Sequence, residues 1–226
     1  MALPLPLPVA EVDHLVVAAS TLAQGVAWCE ATLGVTPGAG GKHPLFGTHN
    51  RLLPVQSAAF PGAYLEIIAV DPEAPSPLRP RWFGLDEAAM QARLAAAPRL
   101  VHVVARTAAL DAHLAALRAC GHDAGEAIAA SRASAAGLLQ WRIGVRADGM
   151  LALGGALPTL IEWAGPHPTA AMAASPLQLR ALTLGGVPPP VQAALGLTAV
   201  AFVAQSPPAL RAVLDTPRGE VILESA

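Results

Sequence analysis

Residues 11 to 19 alternate apolar and polar positions, are rich in Val, and predict a strand. Ser20 or Thr21 then offers an N-cap, and Leu22, Val26 and Leu33 fall on one face of a helix that stops at Gly34. Val35 to Pro37 has room for a short strand, Gly38 to Pro44 carries loop breakers, and Thr48 to Val55 and Gly62 to Val70 read as two further strands. The order is β-α-β-β-β. A proline-rich connection, Asp71 to Pro80, leads to a short amphipathic helix over Leu85 to Ala97. The pattern then restarts: a strand at Leu100 to Arg106, a helix at Ala108 to Ala119 with Gly121 as its stop, and strands at Gly125 to Ser131, Leu138 to Val145 and Leu157 to Trp163.

The two runs align without forcing. His14 to Leu22 and His102 to Leu110 both span eight positions. Two copies are too few to stack as a solenoid, so the spacing predicts duplicated modules. We delimit them as residues 10–70 and 99–165, joined by a linker and helix over 71–98. A degenerate third module is expected over 176–226, with strands at Leu177 to Leu184, Thr198 to Ala204, Leu210 to Leu214 and Glu220 to Glu224, and a helix at Pro188 to Leu195 stopped by Gly196. The fold class is α+β, with paired βαβββ modules around a central cleft.

Composition narrows the function. The 226-residue chain has a formal net charge of -2 and only 13% charged residues, which favours neither nucleic acid nor an anionic membrane and leaves a surface a second subunit of a homodimer would suit. Mean hydropathy is high, at +0.48. Yet the longest uncharged stretch, Ala181 to Leu210, is broken by Gly185-Gly186 and by proline clusters, so no run is long enough to span a bilayer. The opening MALPLPLP lacks a basic segment and alternates with proline; it reads as an extended lead-in, not a signal peptide, and points to a cytoplasmic chain. Cys29 and Cys120 sit in the two helices and are expected as small core residues.

Each copy places one His in its first strand and one Glu in its last: His14 with Glu66, and His102 with Glu162. If these positions point inward, two imidazoles and two carboxylates converge. Such a set suits a divalent ion of moderate softness (Zn, Ni, Fe, Co or Mn), with two octahedral positions left for water or a chelating small-molecule substrate. An ion so held acts as a Lewis acid on an enolate or alkoxide. His49 and Asn50 begin a strand that should line the first cup, where they either contact substrate, support a ligand His, or make local turn bonds. Trp141 and Arg142 occupy the matching strand of the second copy, and an Arg there pairs with a carboxylate of the protein or of a substrate. His43, His113, His122 and His167 are placed in loops or on a polar helix face, without a role.

The βαβββ duplication carrying His14, Glu66, His102 and Glu162 resembles the vicinal oxygen chelate superfamily, which includes glyoxalase I, extradiol dioxygenases and bleomycin-resistance proteins. Gly47-Thr48-His49-Asn50, Arg79 to Asp86 and Trp141-Arg142 resemble its bacterial glyoxalase-like group. The resemblance covers residues 11 to 165 well and the tail more loosely. It implies the glyoxalase/bleomycin resistance/dioxygenase-like fold, and a metal-dependent lyase or isomerase in which Glu162 or Glu66 leaves the ion to abstract a proton beside a carbonyl. It also implies two alternatives: a non-catalytic protein that sequesters a small hydrophobic molecule, and an extradiol-type dioxygenase built on two His and one Glu. The longer His-to-Glu spacing in the second copy implies an insertion near its site.

Overall fold

The computed structural model describes residues 7–134 and 137–225; most of the proposed lead-in, residues 1–6, lies outside them. The first run folds as β1 (Glu11–Ala18), α1 (Leu22–Leu33), β2 (Lys42–His43), β3 (Thr48–Pro54) and β4 (Tyr64–Val70). After α2 (Ala88–Ala96) the second run gives β5 (Arg99–Arg106), α3 (Leu110–Ala119), β6 (Glu126–Ser134), β7 (Gly137–Val145) and β8 (Thr159–Ala164). These strands make one eight-stranded sheet in the order β2-β3-β4-β1-β5-β8-β7-β6. At its centre β1 and β5 run antiparallel, with His14 opposite Val104 and Val16 opposite His102. Each is flanked by a parallel partner from its own run, β4 beside β1 and β8 beside β5. This is the α+β arrangement expected from the repeat.

Local chemistry explains the element ends. Thr21 accepts the N–H of Gln24 through its hydroxyl at 3.1 Å, and α1 closes at Gly34, whose φ of +73° is a left-handed conformation that glycine takes without a Cβ penalty. Gly25 lets α1 lie flat on β4: a Cβ there would run into Ile67 Cγ2. The short strand is not at Val35 to Pro37. It forms at Lys42–His43, which pair with His49 and Thr48, while Gly38 makes an isolated bridge to Leu52. Strand β6 runs past its expected end, to Ser134.

A second, four-stranded sheet in the order β10-β9-β11-β12 comprises β9 (Gln178–Gly185), β10 (Val200–Val203), β11 (Ala209–Thr216) and β12 (Gly219–Glu224), with α4 (Pro189–Leu195) between β9 and β10. It shares one core with the face of the large sheet that carries α1 and α3: Leu179, Leu182 and Leu214 pack in the same cluster as Leu15, Leu65, Leu100 and Leu160. Burying that apolar face on both sides of the layer is the main stabilising event of the fold. The same packing buries His113, expected on a polar helix face; its two ring nitrogens lie 2.9 Å from the carbonyl of Ala194 and 3.0 Å from that of Pro8. Cys29 is fully buried here, and burial pushes its thiol up to about 12, whereas Cys120 is partly exposed. Among the described residues no helix is long and apolar enough to cross a membrane.

The other face of the large sheet is concave. It curls until the edge strands β2 and β6 approach, with Gly41 lying against the Arg132 guanidinium. Phe46, Trp82, Phe83 and Leu85 reach into the cup and pack on Val16, Val104, Ile143 and Ile161. Trp82 and Phe83 belong to a short turn crossing the cup, where Phe83 holds a strained φ of +61° and the N–H of Gly84 bonds to the carbonyl of Gly149.

Candidate active site on the concave face

A cleft of about 30 Å³, room for a water or two, opens in the cup beside His14, His43, Asn50, Tyr64, Glu66 and Arg132, with Trp82, Trp141 and Trp163 among its walls. Alternation along β4 puts Tyr64, Glu66 and Ile68 inside and Leu65 and Ile67 on the helix side. Glu66 is 5% exposed. Its Oε1 accepts a 2.5 Å hydrogen bond from Asn50 Nδ2, and its Oε2 lies 3.6 Å from His14 Nε2. Asn50 is fixed in turn, because its Oδ1 accepts the N–H of Gly41 at 2.8 Å.

His14 is aimed from behind. A register shift in β1 between Val12 and His14 turns the fully buried Asp13 toward the cup side, where its Oδ1 accepts the proton on His14 Nδ1 at 2.6 Å. Asp13 Oδ2 accepts from Trp163 Nε1 at 2.8 Å and faces His167 Nε2 at 3.0 Å. Burial by itself raises the Asp13 pKa, but the hydrogen bonds and charges of His14 and His167 outweigh it and hold the carboxyl well below the usual range. Tyr64 stacks on His14 with ring centroids 4.6 Å apart, and burial beside Asp13 and Glu66 pushes its phenol well above its ordinary value. The result is a line of acid–base groups, Asp13, His14 and Glu66, leaving the imidazole Nε2 for the cleft.

Several expected residues lie elsewhere. Glu162 does not join Glu66. In β8, Ile161 and Trp163 pair with Ile143 and Trp141 on the concave side, so Glu162 and its partner Arg142 face the helices. There Arg142 bonds Glu162 Oε2 at 3.0 Å and holds both carboxylate oxygens of Asp111 on α3. Neither Glu162 as a ligand or base nor Arg142 as a substrate contact fits that side of the sheet. Trp141 does line the cleft. His49 alternates away from Asn50 to the opposite face of β3, near Asp71 at 3.9 Å. His43 and His167, assigned no role from sequence, both serve the site: His43 lies beside Asn50, and burial, with the charge of Arg132 next in weight, pulls its pKa down to about 3.

His102 does lie on the concave side, but its nitrogens are committed. Nε2 accepts the backbone N–H of Thr159 at 3.1 Å and lies 2.9 Å from its hydroxyl, which fixes the proton on Nδ1, where it is donated to the carbonyl of Gly155 at 2.9 Å. Burial pulls its pKa down to about 3, as befits a neutral imidazole. Strand register explains the asymmetry of the two modules. Glu66 lies opposite Val16, two residues beyond His14. Thr159 lies opposite Val104, two residues beyond His102. The equivalent of Glu66 in the second module is therefore Thr159, three residues before Glu162 and on the other face from it.

A model of the glyoxalase-like domain matches residues 12–216. The chain belongs to the glyoxalase-like domain family. That family lies in the vicinal oxygen chelate superfamily, as the repeated His and Glu strands suggested. Among solved structures, this glyoxalase-like chain is similar to a hypothetical protein from Staphylococcus aureus, at 14% identity over 78% of this chain and 70% of that one, with a TM-score of 0.53. It is also similar to methylmalonyl-CoA epimerase from Mycobacterium tuberculosis, at 18% identity over 75% and 97% of the two chains, with a TM-score of 0.41. No curated protein matches the sequence.

The superfamily implies a divalent ion, and the donors of this glyoxalase-like cup do not fit the four-ligand set. His14 and Glu66 are spaced as two ligands of one ion would be. The second module instead contributes a histidine whose lone pair is already taken, and a threonine where the second carboxylate should stand. Among the described residues no three His, Cys, Asp or Glu side chains are grouped so as to hold a metal.

Proposed function

We propose that the cup of this glyoxalase-like protein binds a small oxygenated molecule and transfers a proton at the carbon beside its carbonyl group, in a lyase or isomerase reaction. The observation that carries this reading is the 3.6 Å approach of His14 Nε2 to Glu66 Oε2 at a buried cleft, with Asp13 fixing the tautomer of the imidazole. Glu66 takes the proton from carbon; the C–H electron pair forms a carbon–carbon double bond, and the carbonyl oxygen takes the Nε2 proton of His14 in its imidazolium form, which leaves a neutral imidazole with its remaining proton on Nδ1 facing Asp13. Return of the proton to carbon, with the enol proton going back to His14, restores both groups and completes the exchange. Asp13 supports the imidazolium that this cycle needs, and the aromatic walls keep water out, which strengthens the hydrogen bonds at the oxygen. The same committed nitrogens of His102 tell against the dioxygenase alternative, which needs two free imidazoles.

The test is deuterium uptake. Incubating the protein in D2O with a panel of small 2-oxo acids and 2-hydroxyketones, and following the α-proton signals by NMR, should show exchange that Glu66→Gln slows by roughly a hundredfold or more. Exchange at the wild-type rate in that variant, or none with any probe, would remove the reading. The second reading, binding without turnover, is favoured by the turn of Trp82 and Phe83 filling much of the cup; it predicts tight association of a probe with no exchange.

A further inference from the structure

A second cavity, of about 460 Å³, lies between β3, strands β6 and β7 and the segment from Pro166 to Ala174. Its walls are largely apolar, with Leu52, Leu53, Leu139 and Met172 among them. Leu138, on β7, is 62% exposed along it. Among the described residues that line this groove, Arg132 is the one with a formal charge, and it also lines the cleft beside His14 and Glu66. It therefore stands between the two spaces.

The guanidinium is set up for an outside partner. Arg81, Arg106, Arg142 and Arg146 each hold a carboxylate of the protein. No carboxylate among the described residues pairs with Arg132. Pairing of Arg132 with Leu139 in β6–β7 puts it on the inward face, and its Nη1 would lie 2.6 Å from a Cβ at Gly41, so that glycine leaves the guanidinium room across the cup. An unpaired guanidinium between an apolar groove and an acid–base cleft favours a planar anion carrying an apolar chain.

We propose that the ligand is an amphipathic monocarboxylic acid that also carries a carbonyl group, its carboxylate held by Arg132, its apolar chain lying along the groove past Leu138, and the proton-bearing carbon beside the carbonyl directed toward His14 and Glu66. The assignment deepens the proton-transfer reading and rests on it for the position of the reacting carbon alone. A carboxylate bound there gains a bidentate ion pair at low cost, because no internal partner must be displaced. Its chain covers apolar surface now open to water, which favours a long chain over a short one.

Titration followed by the fluorescence of Trp141 and Trp163 tests this with decanoate, decan-1-ol and acetate as probes. Decanoate should bind the wild-type chain at least about tenfold tighter than acetate, through its chain. Arg132→Gln should weaken decanoate about tenfold or more and leave decan-1-ol unchanged. Leu138→Glu, a surface change that spares the core, should weaken decanoate and leave acetate unaffected. Equal decanoate affinity in wild type and Arg132→Gln, acetate binding as tight as decanoate, or no decanoate binding at all would each overturn the proposal. Because the readout is binding, the two readings separate. Decanoate bound through Arg132 without deuterium exchange on any probe keeps this assignment and removes the catalytic one. Exchange without decanoate binding does the reverse.

Discussion

Replacing Asp13 by Ala is expected to cost about 3–5 kcal/mol of stability at neutral pH and to abolish deuterium exchange, the largest effect of any single change at the site. Asp13 is fully buried and serves three side chains: His14 at 2.6 Å, Trp163 at 2.8 Å and His167 at 3.0 Å. Removing the carboxylate leaves the buried His14 imidazole without the partner that orients it and takes a hydrogen-bond acceptor from Trp163 and from the partly exposed His167. Asp13→Asn, which keeps the shape and loses the charge, should cost less stability yet still suppress exchange, because the amide no longer supports a protonated imidazole. Asp13 also has a signature in pH. Its folded pKa is depressed, so its contribution is fully present above the unfolded value near 3.8 and is lost as pH falls below that. Urea unfolding at pH 7 and pH 3 checks both points. A neutral-pH stability unchanged in Asp13→Ala would refute the role assigned to the carboxylate.

The second large effect lies at milder acidity. His43 and His102 are both held near a pKa of 3 by burial, from an ordinary value of 6.5. The unfolded chain therefore binds protons that the folded chain refuses over that interval. Stability is full above pH 6.5 and falls as pH drops toward 3, by up to ~1.4 kcal/mol per pH unit for each histidine. His102→Gln is expected to lower stability at pH 7.5 by about 2 kcal/mol, since the amide replaces the bonds to Gly155 and Thr159 imperfectly. The variant should also lose stability about half as steeply as the wild type between pH 6.5 and 4.5. Denaturant midpoints at three pH values decide this; parallel curves for the two proteins would contradict a buried, neutral His102.

The strand–helix–glycine runs, with a capping Thr21 and a stop at Gly34, carry local signals for each element, and their repetition in register yields the paired modules. His14 and Glu66 were legible as a pair for the same reason. Glu162 was misplaced because a buried parallel strand such as Tyr64 to Ile68 is apolar on both faces and does not announce which residues point inward. Only pairing with Trp141 and Ile143 fixes the phase of β8 and shows Thr159, not Glu162, in the position of Glu66. Asp13 was hidden by an irregularity in β1 that no composition rule foretells. His167 comes from a loop whose approach to Asp13 depends on the tertiary path. Arg132 fell just past the expected end of its strand, so the charge between the two cavities went unseen.

The sidedness of β8 decides the make-up of the site: Glu66 lies with His14 inside the cup, and Glu162 with Arg142 outside it. Elemental analysis of protein purified without chelators, comparing wild type with Glu162→Gln, tests it most directly. The same content of zinc, nickel, iron, cobalt and manganese is expected in both proteins. A stoichiometric ion in the wild type that Glu162→Gln loses would place Glu162 at the metal and contradict the arrangement described above.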